Sequence, residues 1–411
     1  MQPLRFATAG SVDDGKSTLI GRLLYDARAI QEDQLAAVER ASVRRGGPQL
    51  DLSLLTDGLE AEREQGITID VAYRYFATPT RKFIIADSPG HVQYTRNMAT
   101  GASNADAIVL LIDVEKGLLS QTRRHLLIAR LLGIRQAVVF VNKMDRVGYS
   151  ASSFERVLSE IKAFAGSMRF DSLDVIPGSA LVGDMVVDRG DALGWYKGPT
   201  LLERLETLHA GTEKAAAGPL RFPVQLASRP QAGQPRGYMG RIESGHVLAG
   251  AEVLVLPSGR RTRVRQIVLH GAEREIAVAG DSVTLILADE IDIARGDLIA
   301  DPLRPPREAK ALEATLVWLA HEPLRPGARY IVQHASRRSF AKVAEVRSKL
   351  DVDTQAEAPP GDAVSINDIV RVRLSLQAPL FVDPYDEVRA TGSLILIDEA
   401  TNHTVAAGLV Q

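Results

Sequence analysis

Gly10-Ser11-Val12-Asp13-Asp14-Gly15-Lys16-Ser17-Thr18 stands between an apolar run at 4–9 and a helical pattern at 18–24. A Gly-x-x-x-x-Gly-Lys-Ser stretch between a strand and a helix has the form of a phosphate-binding loop. Glycines let backbone N–H groups turn inward around phosphate oxygens, and the helix N-terminus adds positive potential. Lys16 is then placed to bridge two phosphates, and the Ser17 hydroxyl to bind Mg²⁺. A loop of this kind implies a domain of parallel strands alternating with helices.

Three more segments come in order, each at the end of a strand-like run. Asp87-Ser-Pro-Gly90 comes after Phe83-Ile-Ile-Ala86. Asp87 can reach a magnesium shell through water, and Gly90 can bring its N–H to a terminal phosphate with no side chain in the way. Asn142-Lys143-Met-Asp145 follows a second buried run; the Asp145 carboxylate can accept two hydrogen bonds from N1–H and N2–H₂ of guanine, a pair adenine lacks. The Lys143 stem can lie along the base, and Ser179-Ala180-Leu181 can close the base pocket through backbone donors. Each segment alone has an ordinary reading as a turn or solvated loop. Together they point to GTP with Mg²⁺ as the ligand.

Two further residues bear on hydrolysis. Thr68, in Arg63-Glu-Gln-Gly-Ile-Thr68, is a strand former by type; beside a nucleotide domain, its hydroxyl is assigned to Mg²⁺ and its N–H to the γ-phosphate. His91, directly after Asp-Ser-Pro-Gly, occupies the position from which a side chain orients attacking water. The expected site is therefore catalytic His91, Lys16 and Thr68; metal-binding Ser17, Thr68 and Asp87; and, around the nucleotide, residues 10–18 with Asp87, Gly90, Asn142, Lys143, Asp145, Ser179, Ala180 and Leu181.

The fold expectation is an α/β P-loop domain with a mostly parallel, doubly wound sheet, followed by two β-barrels. Short apolar runs at 4–9, 83–86, 107–112, 137–141 and 175–176 suit buried parallel strands, and 67–76 a longer edge strand. Residues 152–164 carry Phe154, Val157, Leu158 and Ile161 at helical spacing, with Ser152 and Glu155 as a possible capping box. A helix is also expected over 32–45, within a switch region at 26–65. After Ala215-Ala-Ala-Gly-Pro219 the pattern becomes short alternating runs at 237–244, 252–256, 263–269 and 282–287. Beyond Pro302-Leu-Arg-Pro-Pro306, strands are expected at 311–318, 329–333, 369–376 and 392–397, and a loop at 351–360. The domains so drawn are 1–212, 219–303 and 307–411.

The 411 residues include no cysteine, which excludes disulfides, thiolate zinc sites and a cysteine nucleophile. A net charge of −2 argues against a wholesale nucleic-acid binder. The cluster Arg260-Arg-Thr-Arg-Val-Arg265 admits two readings, a solvated barrel strand or an RNA-facing surface. No apolar run reaches the roughly 18 residues of a membrane span. Met1-Gln-Pro-Leu-Arg-Phe-Ala7 leads straight into the first strand, so a cytoplasmic location without membrane contact is expected.

Gly-Ser-Val-Asp-Asp-Gly-Lys-Ser-Thr, Gly-Ile-Thr and Asp-Ser-Pro-Gly-His resemble the translation-factor GTPases. Asp57–Phe76, Arg81–His91, Gln93–Ser103, Gly117–His125, Trp195–Leu202, Thr391–Asp398 and Thr401–Gly408 are more specific, and resemble the GTPase-subunit family of bacterial sulfate adenylyltransferases over essentially the whole chain. That resemblance implies a smaller catalytic subunit as partner, which makes adenosine 5′-phosphosulfate and pyrophosphate from ATP and sulfate, driven by GTP hydrolysis on this chain. An elongation-factor-like carrier of aminoacyl-tRNA is the alternative. The family usually has a polar residue where this chain has Val92, and Gly-Asp-Asn where it has Gly183-Asp-Met185. Some relatives carry a fused adenylylsulfate kinase with a second phosphate loop; one such loop is present here, so that activity is not expected.

Overall fold

The computed structural model describes residues 3–44, 50–55, 71–89, 95–211, 215–228, 235–361 and 363–411. The chain divides into two compact units, Met1–Ala210 and Gly211–Gln411.

The first unit is built on a six-stranded sheet. Its strands are β1 (Leu4–Gly10), β2 (Ala72–Ala77), β3 (Lys82–Asp87), β4 (Ala107–Asp113), β5 (Gln136–Asn142) and β6 (Ser172–Pro177). They lie in the order β2-β3-β1-β4-β5-β6, and all pairings are parallel except the β2–β3 edge. β4 and β5 are apolar nearly throughout because helices cover both faces: Ile108 to Ile112 and Ala137 to Val141 are fully buried. The helices are α1 (Lys16–Asp26), α2 (Glu32–Arg44), α3 (Thr95–Ser103), α4 (Ser120–Leu131), α5 (Ala151–Ala165) and α6 (Leu201–Thr207).

Two local expectations shift. The described part of the edge strand begins at Ala72; 67–70, like residue 45 of the expected 32–45 helix, lies outside the described residues. α5 starts one residue earlier than its apolar pattern, and Ser150 is its N-cap, accepting from the Ser153 N–H at 3.3 Å. Ser152, the expected cap, instead pairs its hydroxyl with Ser150 Oγ. Of the expected apolar stripe, Phe154, Val157 and Ile161 are buried and Leu158 is half-buried, while Phe164 joins the buried face.

The second unit holds two closed six-strand antiparallel barrels. Around the first run Glu252–Leu256, Leu298–Ala300, Arg221–Ser228, Gly237–Arg241, Ser282–Leu287 and Arg260–Leu269, the last pairing back to the first. Around the second run Arg329–His334, Ser393–Asp398, Thr404–Val410, Arg307–Trp318, Ile369–Val382 and Arg337–Leu350, which closes on Arg329–His334. Arg337–Leu350, at 14 residues, has no counterpart among the expected strands. Its pairing with Ile369–Val382 shifts register twice, so its sequence never shows a clean period of two. In Arg260–Leu269 the arginines are exposed while Thr262 and Val264 face the core, and Arg261 pairs with Glu252 across the ladder at 3.1 Å.

A buried polar lock joins the barrels. Arg221, from the first, donates from Nε and Nη2 to the two carboxylate oxygens of Asp383, from the second, both at 2.8 Å. Nη1 donates to the Leu220 carbonyl at 2.9 Å, and Thr391 Oγ1 donates to Asp383. His334 Nε2 donates to the Thr391 carbonyl at 2.8 Å. Beside the lock, Leu256, Leu298 and Ala300 of the first barrel pack on Phe381 of the second.

Candidate nucleotide site

Parallel register gathers the motifs at one end of the sheet. β1 pairs Thr8 with Asp87 and Gly10 with Leu111, and β4 pairs Asp113 with Asn142. The segments after β1, β3, β5 and β6 therefore leave the same edge, the carboxyl edge where open α/β sheets bind ligands.

The phosphate loop is a tight backbone cup. Asp13 (φ 63°) and Gly15 (φ 95°) are both left-handed, and Gly15 caps α1. A Cβ on Gly15 would come within 2.4 Å of Asn142 Nδ2, so glycine is required there by both conformation and space. The buried Lys16 ammonium donates to the carbonyls of Gly10 (3.2 Å) and Ser11 (3.1 Å). Burial pulls its pKa down, opposed by the charges of Asp87, Asp14 and Asp13. Asp14 accepts from the Ser11 N–H at 2.7 Å through one carboxylate oxygen, while the other is buried without a partner. Burial raises its pKa against the Ser11 bond and the nearby lysines. Ser11 Oγ lies 3.0 Å from Thr122 Oγ1 on α4. Val12 accepts from Lys116 Nζ at 3.3 Å, and Ser17 and Thr18 are half-buried in the first turn of α1. Asp87 is 1% exposed and accepts from Thr8 Oγ1 at 3.1 Å.

Asn142 ties three loops together. Its Nδ2 donates to the Asp14 carbonyl at 2.7 Å, and its Oδ1 accepts from the Ala180 N–H at 2.8 Å. Both ends of the side chain thus serve the protein's own backbone, and the Ala180 amide is taken up by the Asn142 side chain. Lys143 lies across the phosphate loop, donating to the Asp13 carbonyl and to Asp113 Oδ2 at 2.8 Å. Burial would raise the Asp113 carboxyl; the Lys143 and Glu115 hydrogen bonds, with the charges of Lys143 and Lys116, outweigh it and hold it below the usual range. Asp145 keeps one carboxylate oxygen, Oδ1, buried and unpartnered. Leaving such an acceptor unmet costs about 1–3 kcal/mol, which a base edge carrying two N–H donors would relieve. Ser179 Oγ accepts from the Val182 N–H at 3.2 Å, and Leu181 is exposed.

Thr68, Gly90, His91 and Val92 lie outside the described residues. Two supporting residues escape the motif reading. Asp113 ends β4 as Asp87 ends β3, and that shared position at a strand's carboxyl end was the signal available for it. Arg22, on α1, donates from Nη2 to the Leu181 carbonyl at 2.6 Å; nothing in a lone helical arginine marks that.

Ser17 and Asp87 are hard oxygen donors, the set Mg²⁺ prefers, and both sit at the loop that would present phosphates. Among the described residues no cluster of three His, Asp or Glu could hold a metal by itself, and no helix is long and apolar enough to cross a membrane.

The Elongation factor Tu GTP binding domain family matches residues 2–210, Elongation factor Tu domain 2 matches 238–300, and the GTP-eEF1A C-terminal domain-like family matches 311–411. Sulfate adenylyltransferase subunit 1 of Aeromonas hydrophila is 50% identical over 409 residues, spanning 99% of this chain and 86% of that protein. The bifunctional enzyme CysN/CysC of Mycobacterium tuberculosis is 50% identical over 413 residues, 99% of this chain and 67% of its own length. The bifunctional enzyme NodQ of a Rhizobium species is 48% identical over 409 residues, 99% of this chain and 63% of its own. With identity at this level running through both units, the chain belongs to the sulfate adenylyltransferase subunit 1 family, on an elongation factor Tu-type GTP-binding domain.

Proposed function

We propose that this chain hydrolyses GTP to drive sulfate activation on a separate, smaller catalytic subunit, which forms adenosine 5′-phosphosulfate and pyrophosphate from ATP and sulfate. One observation carries the reading: half of all residues are shared with a sulfate adenylyltransferase subunit 1 over 99% of the chain. The orphaned Asp145 oxygen supports guanine as the base.

In this reading the amides of residues 10–18 and the Lys16 ammonium hold the β- and γ-phosphates. Lys16 moves its hydrogen bonds from the Gly10 and Ser11 carbonyls to phosphate oxygens, a short reach within the same cup. Asp145 reads N1–H and N2–H₂, Lys143 backs the base, and the segment Ser179, Ala180, Leu181 closes it. Ser17 and Thr68 would ligate Mg²⁺, and Asp87 would reach it through water; the ion would neutralise charge on the β- and γ-phosphates. Gly90 offers its N–H to the γ-phosphate. His91 orients the water whose oxygen attacks the γ-phosphorus as the bond to the β-phosphate oxygen breaks. A cytoplasmic setting follows from the substrates.

The test is GTP hydrolysis by the purified chain, alone and with a candidate sulfurylase subunit, ATP and sulfate. Stimulation by the partner with its substrates is expected; stimulation by ribosomes in its place would replace this reading with that of an aminoacyl-tRNA carrier. His91→Ala should slow turnover with GTP affinity nearly intact, as measured by single-turnover hydrolysis beside equilibrium binding. Lost binding would make His91 structural.

A further inference from the structure

Resting on the reading of Asp145 as the guanine-recognising residue, we infer that Tyr149, Asp184 and Trp195 form a strap that positions it and so sets base selectivity. None of the three lies within the four nucleotide-binding motifs at 10–18, 87–90, 142–145 and 179–181.

The base-reading segment is held at its far end by a strained residue. After the 3-10 turn Met144–Val147, Gly148 and Tyr149 both adopt left-handed backbone, at φ 58° and 56°. For a bulky aromatic residue that is an outlier, kept only where the surroundings enforce it. Three hydrogen bonds do so. The Tyr149 N–H donates to the Met144 carbonyl at 2.8 Å, its carbonyl accepts from Trp195 Nε1 at 2.9 Å, and its hydroxyl donates to Asp184 Oδ2 at 2.5 Å. The first of these closes the turn that contains Asp145.

Asp184 carries the restraint to the base-closing loop. Its backbone carbonyl accepts from the Ser179 N–H at 3.1 Å, while its side chain holds Tyr149. A second tie, from the Met144 N–H to the Gly178 carbonyl at 3.1 Å, runs between the same two loops. Trp195 is itself fixed against Phe154 in the first turn of α5, with ring centroids 5.5 Å apart, and Tyr196 packs edge-on to both. The loop that reads the base edge and the loop that covers it are thus tied to each other at two points. Burial, the Asp184 bond and the charges of Asp184 and Asp145 all push the Tyr149 pKa up, so the hydroxyl stays a donor at any physiological pH.

Asp145 distinguishes guanine from hypoxanthine only if its carboxylate meets the 2-amino group in register, so a loosened strap should erode that distinction while leaving phosphate binding alone. The experiment measures dissociation constants for GDP, IDP and tripolyphosphate on the full chain. In Tyr149→Phe, which removes one hydroxyl, GDP should weaken by about five- to tenfold, the worth of one hydrogen bond, while IDP and tripolyphosphate hold. Asp184→Ala should match it, Asp184→Asn should keep most selectivity because its amide oxygen still accepts, and the double variant Tyr149→Phe/Asp184→Ala should be no worse than either single one. Trp195→Phe, which deletes the N–H donor to the Tyr149 carbonyl, provides a second route to the same result.

A GDP/IDP ratio within twofold of wild type in both Tyr149→Phe and Asp184→Ala overturns the strap. So does a parallel loss for GDP, IDP and tripolyphosphate, which reports general loosening. If wild type shows no preference for GDP over IDP, or Asp145→Asn fails to shift preference toward xanthine nucleotides, the base assignment itself falls and the strap with it. A selective wild type, a switched Asp145→Asn and unaffected strap variants would sink the strap alone.

Discussion

Two buried polar clusters, one in each unit, look alike in composition and differ in how their capacity is used. In the barrel unit, both Asp383 oxygens are bonded, and Arg221 meets that carboxylate in a two-point fork while also holding Leu220. In the first unit, single oxygens of Asp14 and Asp145, the Ser88 hydroxyl and the His125 Nδ1 atom are buried without partners. Polar groups that satisfy one another hold structure; polar groups left unmet around a glycine-rich cup are arranged for something else to meet them. Charge and burial do not separate the two clusters. Satisfaction does.

The lock gives the largest expected effect. Asp383→Ala leaves the 2% exposed Arg221 side chain buried with no carboxylate, and removing one partner of a buried pair destabilises by about 3–5 kcal/mol. Urea unfolding should show that loss, with GTP affinity unchanged in the folded protein. Replacing both residues, as in Arg221→Met with Asp383→Leu, should recover most of it, because apolar groups of similar volume need no partner. A lock that tolerated Asp383→Ala without loss would erase the distinction drawn from satisfaction.

Asp145→Asn tests the other cluster. An amide in place of the carboxylate presents a donor toward the guanine donors, and sites built on hydrogen-bond readout discriminate strongly, so GTP affinity should fall by about a hundredfold or more. Xanthine nucleotides, which offer a carbonyl in place of the 2-amino group, should bind better than guanine nucleotides. Competition binding with GDP and XDP measures both. Fold stability should hardly move, the reverse of the Asp383 result.

The sequence was most readable where chemistry demanded a residue type and least where tertiary packing chose one. Gly15 and Lys16 are legible because a phosphate cup admits few alternatives, and 107–112 and 137–141 because strands covered on both faces must be apolar throughout. The strand Arg337–Leu350 hid because two register shifts scramble its alternation. The α5 cap moved from Ser152 to Ser150 because two nearby serines offer the same chemistry and only backbone geometry selects between them. Arg221 and Asp383 are 162 positions apart, and nothing local in either segment forecasts the pair. Tyr149 reads as an ordinary turn residue until Asp184 and Trp195 are seen to close on it.

The smallest effect concerns a group that belongs wholly to neither pattern. His125 on α4 is fully buried, and Gln121 is turned so that its Oε1 accepts from Arg124 Nη1 at 3.0 Å. The Gln121 Nε2 amide therefore donates to His125 Nε2, 2.8 Å away, which leaves the ring neutral with its proton on the unpartnered Nδ1. Burial, with the charges of Lys16 and Arg124, lowers its pKa from 6.5 to about 3. Below 6.5 an unfolded chain protonates this histidine and the folded one does not, so the unfolded state binds more protons and stability falls as pH falls. Between pH 7 and pH 5 that amounts to about 2 kcal/mol. His125→Gln should remove that share of the pH dependence, so urea midpoints at the two pH values should converge relative to wild type. His334, also buried and lowered, leaves a common background in both proteins, so only the difference between them reports on His125. An unchanged slope would mean that His125 has a proton acceptor within reach, and would move it to the satisfied side of the comparison.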